Sequence, residues 1–107
     1  MLPRKHKVSK SLFNEVFASG KKFRSKNLSL VYAPYRDVRC AVVVSKKTEK
    51  YAVKRNMLRR KVKACVIPLL PSLESGVYIL FVHGDISKIS HKSLCVEVEG
   101  LMSEASS

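Results

Sequence analysis

The segment KRNMLRRKVK, from Lys54 to Lys63, holds the side chains whose types and spacing point most clearly to a chemical role. Six of its ten residues are Lys or Arg, and none is Asp or Glu. At about 100° per residue, one arc of a helix collects four cations and one amide: Arg55, Asn56, Arg59, Arg60 and Lys63. Like charges four residues apart destabilise a helix, whereas guanidinium groups match phosphate oxygens in pairs. The arc therefore predicts a surface that binds the phosphates of a polyanion.

The side of this helix outside the basic arc is mostly apolar, which predicts that this side is buried. On the same projection six residues share that side: Val53, Met57, Leu58, Val62, Ala64 and Cys65. Lys54 and Lys61 interrupt it, and we expect their stems to pack while their ammonium groups reach out. An ordinary solvated helix is the alternative, although such a helix usually mixes both signs of charge.

The charge of the whole chain favours the same kind of partner. There are 21 Lys and Arg against 8 Asp and Glu, a net charge of +13. Residues 1–63 hold nineteen basic and three acidic residues, a net +16, whereas residues 64–107 hold two and five, a net −3. A basic protein without a polyanion is the alternative, but self-repulsion of this size destabilises a small domain.

The other reactive side chains form no recognisable catalytic or metal-binding motif. The three cysteines include no Cys-x-x-Cys pair, which predicts buried, reduced thiols, a reducing compartment and no zinc site: Cys40, Cys65 and Cys95. The three histidines also lack metal-ligand spacing and are expected at the surface: His6, His83 and His91. The acids are few and scattered, so neither a carboxylate cluster for two metals nor a nucleophilic site is predicted. No apolar run has membrane length, and no signal peptide is recognised.

The elements that must position the basic helix follow from the apolar pattern. It predicts a single α+β domain over residues 1–107: a helix, two or three strands, a helix, a strand and a helix. The first helix begins at Ser9 or Ser11 and stops at Gly20. The predicted strands are Leu28–Ala33, Val38–Ser45 and Gly76–His83, and the later helices are Ala52–Ile67 and Ser90–Met102. Pro68 and Pro71 bracket a linker, Gly84-Asp85 forms a turn, residues 1–8 form a mobile basic arm and residues 103–107 a frayed end.

The chain resembles a known family, because its segment AVKRNMLRRKVK is similar to the RNR motif of the bacterial ribonuclease P protein subunit. LFNEVFASGKKFRS resembles the family's N-terminal Phe-x-x-Val-Phe-x-x-Gly helix and turn. VVVSKKTEKYAVKRN is similar to its strand, Ser-Lys-Lys and RNR segment, and VYILFVH takes the place of its late apolar strand. The resemblance covers about residues 5–100. Met57 and Lys63 depart from it, since both stand where the motif often has Arg.

The resemblance implies a fold and a function. The fold is one mixed sheet with helices, in the order α-β-β-β-α-β-α, with a left-handed β-α-β crossover. The function is that of the protein subunit of ribonuclease P, a cytoplasmic ribonucleoprotein nuclease that removes the 5′ leader of precursor tRNA. In that family the RNA subunit is the catalyst and holds Mg²⁺, so the implied protein has no catalytic residue and binds no cofactor itself. The implied partners are the catalytic RNA and precursor tRNA, with no membrane and no obligate protein partner.

The resemblance also assigns residues to two surfaces. The RNR-like helix faces the catalytic RNA, and a cleft between the first helix and the sheet takes the leader. The cleft residues implied are Phe13, Phe17, Lys46 and Lys47. Plain core packing is the alternative for Phe13 and Phe17, which are four residues apart on one helix. The strand aromatic of some family members falls at Val31, so no such role is carried over to Tyr32.

Three other classes of protein share part of this pattern. A small ribosomal protein that binds rRNA has the same size, charge and lack of catalysis, and only the spacing of the motifs argues against it. A DNA-binding domain would need a helix-turn-helix partner or a dimer interface. A stand-alone nuclease would need more clustered acids than this chain has.

Overall fold

Four strands form one mixed sheet in the computed structural model, which describes residues 7–47, 49–83 and 86–106. In chain order the elements are α1 (Lys10–Ser19), β1 (Lys21–Arg24), β2 (Leu28–Pro34), β3 (Val38–Val44), α2 (Ala52–Val66), a 3-10 helix (Ile67–Ser72), β4 (Gly76–Val82) and α3 (His91–Ser106). The sheet order is β1-β2-β4-β3, and β3 and β4 are parallel while the other pairs are antiparallel. The predicted α+β class and the order α-β-β-β-α-β-α are confirmed. The hand of the β3-α2-β4 crossover stays a prediction.

The two faces of the sheet carry different layers, because side chains alternate along each strand. One face packs against α2 and α3 and holds the larger core. Tyr78 and Leu80 of β4 lie there beside Leu58 and Val62 of α2 and Leu94 of α3. The opposite face packs against α1 through a small cluster of Val16, Val31, Val77 and Ile79. One side of the sheet is therefore covered by two long helices, and the other by one short helix.

The helix α1 begins and ends as the sequence predicts, and close packing explains the glycine that follows its last residue, Ser19. The hydroxyl of Ser9 accepts from the backbone N–H of Leu12, which is an N-cap. Gly20 has φ −73°, so its backbone conformation does not by itself require a glycine. A Cβ at this position would lie 2.6 Å from the carbonyl oxygen of Val16 and 2.8 Å from that of Tyr32. Gly20 is needed because the helix end and β2 approach closely there.

Residues near both ends of the described chain pack against the rest of the domain. The carbonyl of Lys7 accepts from Nη1 of Arg39 at 3.0 Å, and Val8 packs against the cluster under α1. Residues 1–6 of the predicted mobile arm lie outside the described residues, and the mobility of the arm stays a prediction. The helix α3 continues to Ser106, past its predicted end at Met102, and the predicted fraying of residues 103–107 stays a prediction. Met102 is buried and Ala105 packs against the core, so apolar contacts hold the last turns of the helix.

Two connections complete the fold. The predicted linker at Pro68 and Pro71 is a 3-10 helix, and its Leu70 is buried in the larger core. The predicted turn at Gly84-Asp85 lies outside the described residues. In the described ranges, no helix is both long and apolar enough to span a membrane.

Candidate nucleic-acid interface

Most of the cations that the sequence places on one arc of α2 line a single groove along that helix. The groove is lined by Asn56, Arg59, Arg60, Lys63, Ala64 and Ile67. Arg59 donates a hydrogen bond from Nη2 to Oδ1 of Asn56, which orients both side chains along the helix surface. The sequence has no acidic residue between Glu49 and Glu74, so the helix itself supplies no carboxylate to neutralise these cations. The groove presents three positive charges and an amide to whatever binds there.

Arg55 belongs to the same predicted set but lies elsewhere. Its Nη1 donates to the carbonyl oxygens of Glu49 at 3.0 Å and Lys50 at 2.9 Å. Tyr51, the N-cap residue of α2, makes no side-chain capping hydrogen bond. Arg55 therefore ties the loop before α2 to the first turn of the helix. Its predicted contact with RNA stays a prediction.

The apolar side of α2 is shorter than the helical projection predicts. Met57 is 59% exposed and Val53 is 78% exposed, and Ala64 is exposed and lines the basic groove, so the prediction that these three residues lie on the buried side is wrong. The buried residues of the helix begin only at Leu58. No residue between Ala52 and Met57 is buried. Met57 is consequently a surface residue beside the basic groove.

The two lysines that interrupt the apolar side behave differently from each other. Lys61 is half-buried, and its Nζ donates to the carbonyl oxygens of Ile86 at 2.8 Å and Ile89 at 2.7 Å. It ties α2 to the segment that leads into α3. Lys54 is exposed, and its Nζ lies 5.5 Å from the centroid of the Tyr51 ring. The expectation that stems pack while ammonium groups reach outward describes Lys54 better than Lys61.

Three phenylalanines form an aromatic cluster on the face of the sheet that α1 covers. The ring centroids are 6.1 Å apart for Phe13 and Phe17, 6.1 Å for Phe13 and Phe81, and 5.7 Å for Phe17 and Phe81. Phe13 and Phe81 are half-buried, whereas Phe17 is 47% exposed. Plain core packing therefore does not describe Phe17, whose ring is open to solvent on one side. Nζ of Lys22 lies 5.3 Å from the centroid of that ring.

A cleft opens beside this cluster because α1 does not cover the whole face. Strand pairing places Arg24, Ser29, Phe81 and Val43 in one row across the four strands. The cleft is lined by Phe17, Lys22, Phe23, Arg24, Ser29, Leu30, Val31 and Phe81. It combines an aromatic wall with a basic wall supplied by the edge strand β1. Such a combination binds single-stranded nucleic acid by base stacking and phosphate contacts.

The sequence did not single out Phe81, Lys22 or Arg24 as cleft residues. Phe81 lies in an unbroken apolar strand, which gives no alternation to show that one face is partly open. Lys22 and Arg24 belong to β1, whose alternating sequence KKFR was a usable signal for an edge strand with one basic face. The basic wall of the cleft could have been found from that pattern.

The remaining predicted cleft residues lie at its margin or away from it. Lys46 and Lys47 are exposed in the turn that follows β3, three and four residues after Val43, and do not line the cleft itself. Their predicted contact with leader phosphates stays a prediction. Tyr32 lies on the opposite face, with its ring centroid 5.0 Å from that of Tyr78. Val31, on the face that α1 covers, lines the cleft.

Glu97 of α3 holds the turn that positions the basic wall. Its carboxylate accepts from the hydroxyl of Ser25, from the backbone N–H of Asn27 at 2.8 Å and from Nδ2 of Asn27 at 3.1 Å. Partial burial acts to raise the pKa of Glu97, but these hydrogen bonds outweigh burial and the pKa lies below its usual value. The turn between β1 and β2 is thereby anchored to α3 through an ionised carboxylate.

The cysteines differ from the prediction of three reduced thiols. Cys65 of α2 and Cys95 of α3 form a disulfide, with their Cα atoms 4.9 Å apart. Cys40 is a buried free thiol as predicted, and burial raises its pKa to about 12. Sequence spacing could not reveal the pair, because the two residues are brought together by the packing of α2 on α3. His91 is exposed as predicted, yet its Nε2 lies 3.4 Å from Sγ of Cys95.

The described side chains that are grouped closely enough to hold a metal ion line neither the groove nor the cleft. Across residues 7–47, 49–83 and 86–106, the one group of three or more His, Cys, Asp or Glu close enough to share an ion is Cys65, His91 and Cys95. Mg²⁺ prefers oxygen ligands, which this group lacks. The described part of this chain therefore holds no cluster of three or more carboxylates that could bind Mg²⁺.

The sequence is similar to proteins named as ribonuclease P protein components. One from Pseudanabaena sp. is 30% identical over 110 residues, covering 98% of this chain and 95% of that protein. One from Synechococcus sp. is 30% identical over 89 residues, covering 77% of this chain and 67% of that protein. These relatives favour the ribonuclease P interpretation over a ribosomal protein.

The fold is also similar to solved structures. The ribonuclease P protein of Staphylococcus aureus aligns with a TM-score of 0.82 at 14% identity, covering 94% of both chains. That of Thermotoga maritima aligns with a TM-score of 0.78 at 16% identity, covering 86% of this chain and 89% of the other. The family model described as Ribonuclease P matches residues 2–106, which is nearly the whole sequence. The chain therefore belongs to the ribonuclease P protein family.

Proposed function

We propose that this protein binds the catalytic RNA of ribonuclease P with the α2 groove and the 5′ leader of precursor tRNA with the cleft beside α1. The family makes it a subunit of the ribonucleoprotein endoribonuclease ribonuclease P, which works with an RNA subunit. The proposal adds which surface meets which RNA. It places the holoenzyme in the cytoplasm, with catalysis and the binding of Mg²⁺ assigned to the RNA subunit.

The observation that carries the proposal is the groove along α2. Arg59, Arg60 and Lys63 line it, and the helix offers no acidic residue against them. Like charges at this spacing cost a few tenths of a kcal/mol per pair in the free protein. Phosphates that enter the groove remove this repulsion and gain charge-assisted hydrogen bonds. Asn56 adds an amide that can contact sugar or base edges.

The cleft suits a different kind of RNA segment. An exposed ring at Phe17 with Phe81 beside it offers stacking that tolerates any base. Lys22 and Arg24 on β1 line the same cleft, where they can contact the phosphates of an RNA strand whose bases stack on these rings. The 5′ leader differs in sequence from one precursor to another, so recognition through stacking and phosphates fits such a ligand better than base-specific hydrogen bonds.

The experiment is reconstitution with the cognate ribonuclease P RNA and a precursor tRNA at low Mg²⁺. We expect the protein to increase the rate of leader removal well above that of the RNA alone, because neutralised phosphates lower the RNA's demand for Mg²⁺. High Mg²⁺ without protein is the control that shows the RNA is active. No gain from the protein at low Mg²⁺, with that control active, contradicts the proposal.

A further inference from the structure

We propose that Cys65, His91 and Cys95 form, in the reduced protein, a binding site for Zn²⁺ that joins α2 to α3. One ligand atom from each of the three residues can be chosen so that all lie within 4.8 Å of one another. The site is separate from both proposed RNA surfaces and does not depend on them. It differs from the expectation of no zinc site, which considered only spacing along the sequence.

The fold supplies the ligands in a favourable arrangement. His91 and Cys95 are four residues apart on α3, so they share one face of the helix. Cys65 meets that face from α2. Nδ1 of His91 lies 4.0 Å from Sγ of Cys65, and Nε2 lies 3.4 Å from Sγ of Cys95. A tetrahedral Zn²⁺ with ordinary bond lengths separates a sulfur and a nitrogen ligand by about 3.6 Å. A small rotation of the exposed imidazole brings one nitrogen to that position.

The chemistry of the three ligands suits a borderline-soft divalent ion. Two thiolates and one imidazole are preferred zinc ligands, and three protein ligands leave a fourth position for water. Two thiolates also neutralise the charge of Zn²⁺, so the filled site adds no net charge to a chain that already carries +13. Cys65 is buried, Cys95 is half-buried and His91 is exposed, which gives the ion a path from solvent.

The disulfide and the zinc site are alternative crosslinks between the same two helices. Reduction by a dithiol transfers two electrons and two protons to the bonded sulfurs, and the dithiol becomes a disulfide. Zn²⁺ then displaces the two thiol protons when it binds. The sulfurs separate to about 3.8 Å across the ion, a change that side-chain torsions can supply. The site is therefore filled under reducing conditions and lost on oxidation.

The test is a titration of the reduced protein, prepared without a polyhistidine tag and kept free of oxygen, with Co²⁺ as a spectroscopic substitute for Zn²⁺. We expect one equivalent to give thiolate-to-cobalt charge-transfer absorption and the strong visible bands of a tetrahedral centre. Added Zn²⁺ should abolish both signals. The oxidised protein should give neither signal, because its sulfurs are bonded to each other.

Matched variants separate this site from adventitious binding. His91→Gln should weaken Co²⁺ binding by at least about tenfold, whereas His83→Gln, another exposed histidine outside the group, should leave it unchanged. Zn²⁺ should raise the Tm of the reduced protein but not that of Cys95→Ser, and circular dichroism confirms that each variant is folded. Absent charge-transfer bands in the reduced protein, or equal affinity in His91→Gln, overturns the proposal.

Discussion

Replacing Phe17 with Ala should weaken the binding of precursor tRNA to the assembled enzyme without weakening that of mature tRNA. Stacking of one base on an aromatic ring contributes about 1–3 kcal/mol. Since about 1.4 kcal/mol corresponds to a tenfold change, precursor affinity should fall by roughly 5- to 150-fold. Mature tRNA has no leader, so its affinity should stay the same.

The exposure of Phe17 sets the stability cost of this change. Fully burying a Phe side chain contributes about 1.5–3 kcal/mol. Because the residue is 47% exposed, its loss should lower the free energy of unfolding by only about half of that, close to 1 kcal/mol. A residue packed wholly in the core would instead cost about 3–5 kcal/mol on truncation to Ala.

Phe17→Leu is the matched control, since Leu keeps apolar contact with Phe13 and Phe81 but presents no aromatic face. We expect this variant to regain most of the stability and little of the precursor affinity. Binding of both tRNAs to the holoenzyme and denaturant unfolding of the free protein measure the two effects. Equal weakening for precursor and mature tRNA, or a stability loss near 4 kcal/mol in Phe17→Ala, would refute the reasoning.

Two further predictions concern the basic groove and the anchored turn. Arg60→Ala should reduce the slope of log affinity for the catalytic RNA against log salt concentration by about 0.7–0.9, because one phosphate contact is lost. Lys92→Ala on α3 is the control and should leave the slope unchanged. Equal slopes for wild type and Arg60→Ala would place the RNA surface elsewhere. Glu97→Gln should destabilise the protein at neutral pH by about 1–2 kcal/mol, because Ser25 and Asn27 lose a charged acceptor. The folded pKa of Glu97 is lowered, so its contribution is complete above the unfolded value near 4.5 and is lost as pH falls through the folded pKa. Unfolding measured across pH should show the two proteins converging in acid, and a constant difference would contradict this assignment.

The sequence predicted the order of elements well because the buried strands and amphipathic helices have strong apolar patterns. It placed Met57 wrongly because a helical projection treats every turn as equally covered, whereas the core contacts of α2 begin at Leu58. The cluster of Cys65, His91 and Cys95 depends on where α2 crosses α3, which no local pattern encodes. Phe81 escaped notice because its strand is apolar on both faces, and only the shortness of α1 leaves the ring accessible.

The arrangement of the layers is compatible with the proposal that one small chain binds two RNA segments. The helix α2 packs on one face of the sheet, and the cleft with Phe17 lies on the opposite face. Ligands on α2 and in the cleft are therefore kept apart by the sheet and do not compete for the same side chains. Each surface also draws its cations from a different element, α2 for the groove and β1 for the cleft. Loss of charge in the groove should therefore weaken assembly with the catalytic RNA while leaving the preference for a leader intact, and loss of the aromatic wall should do the reverse.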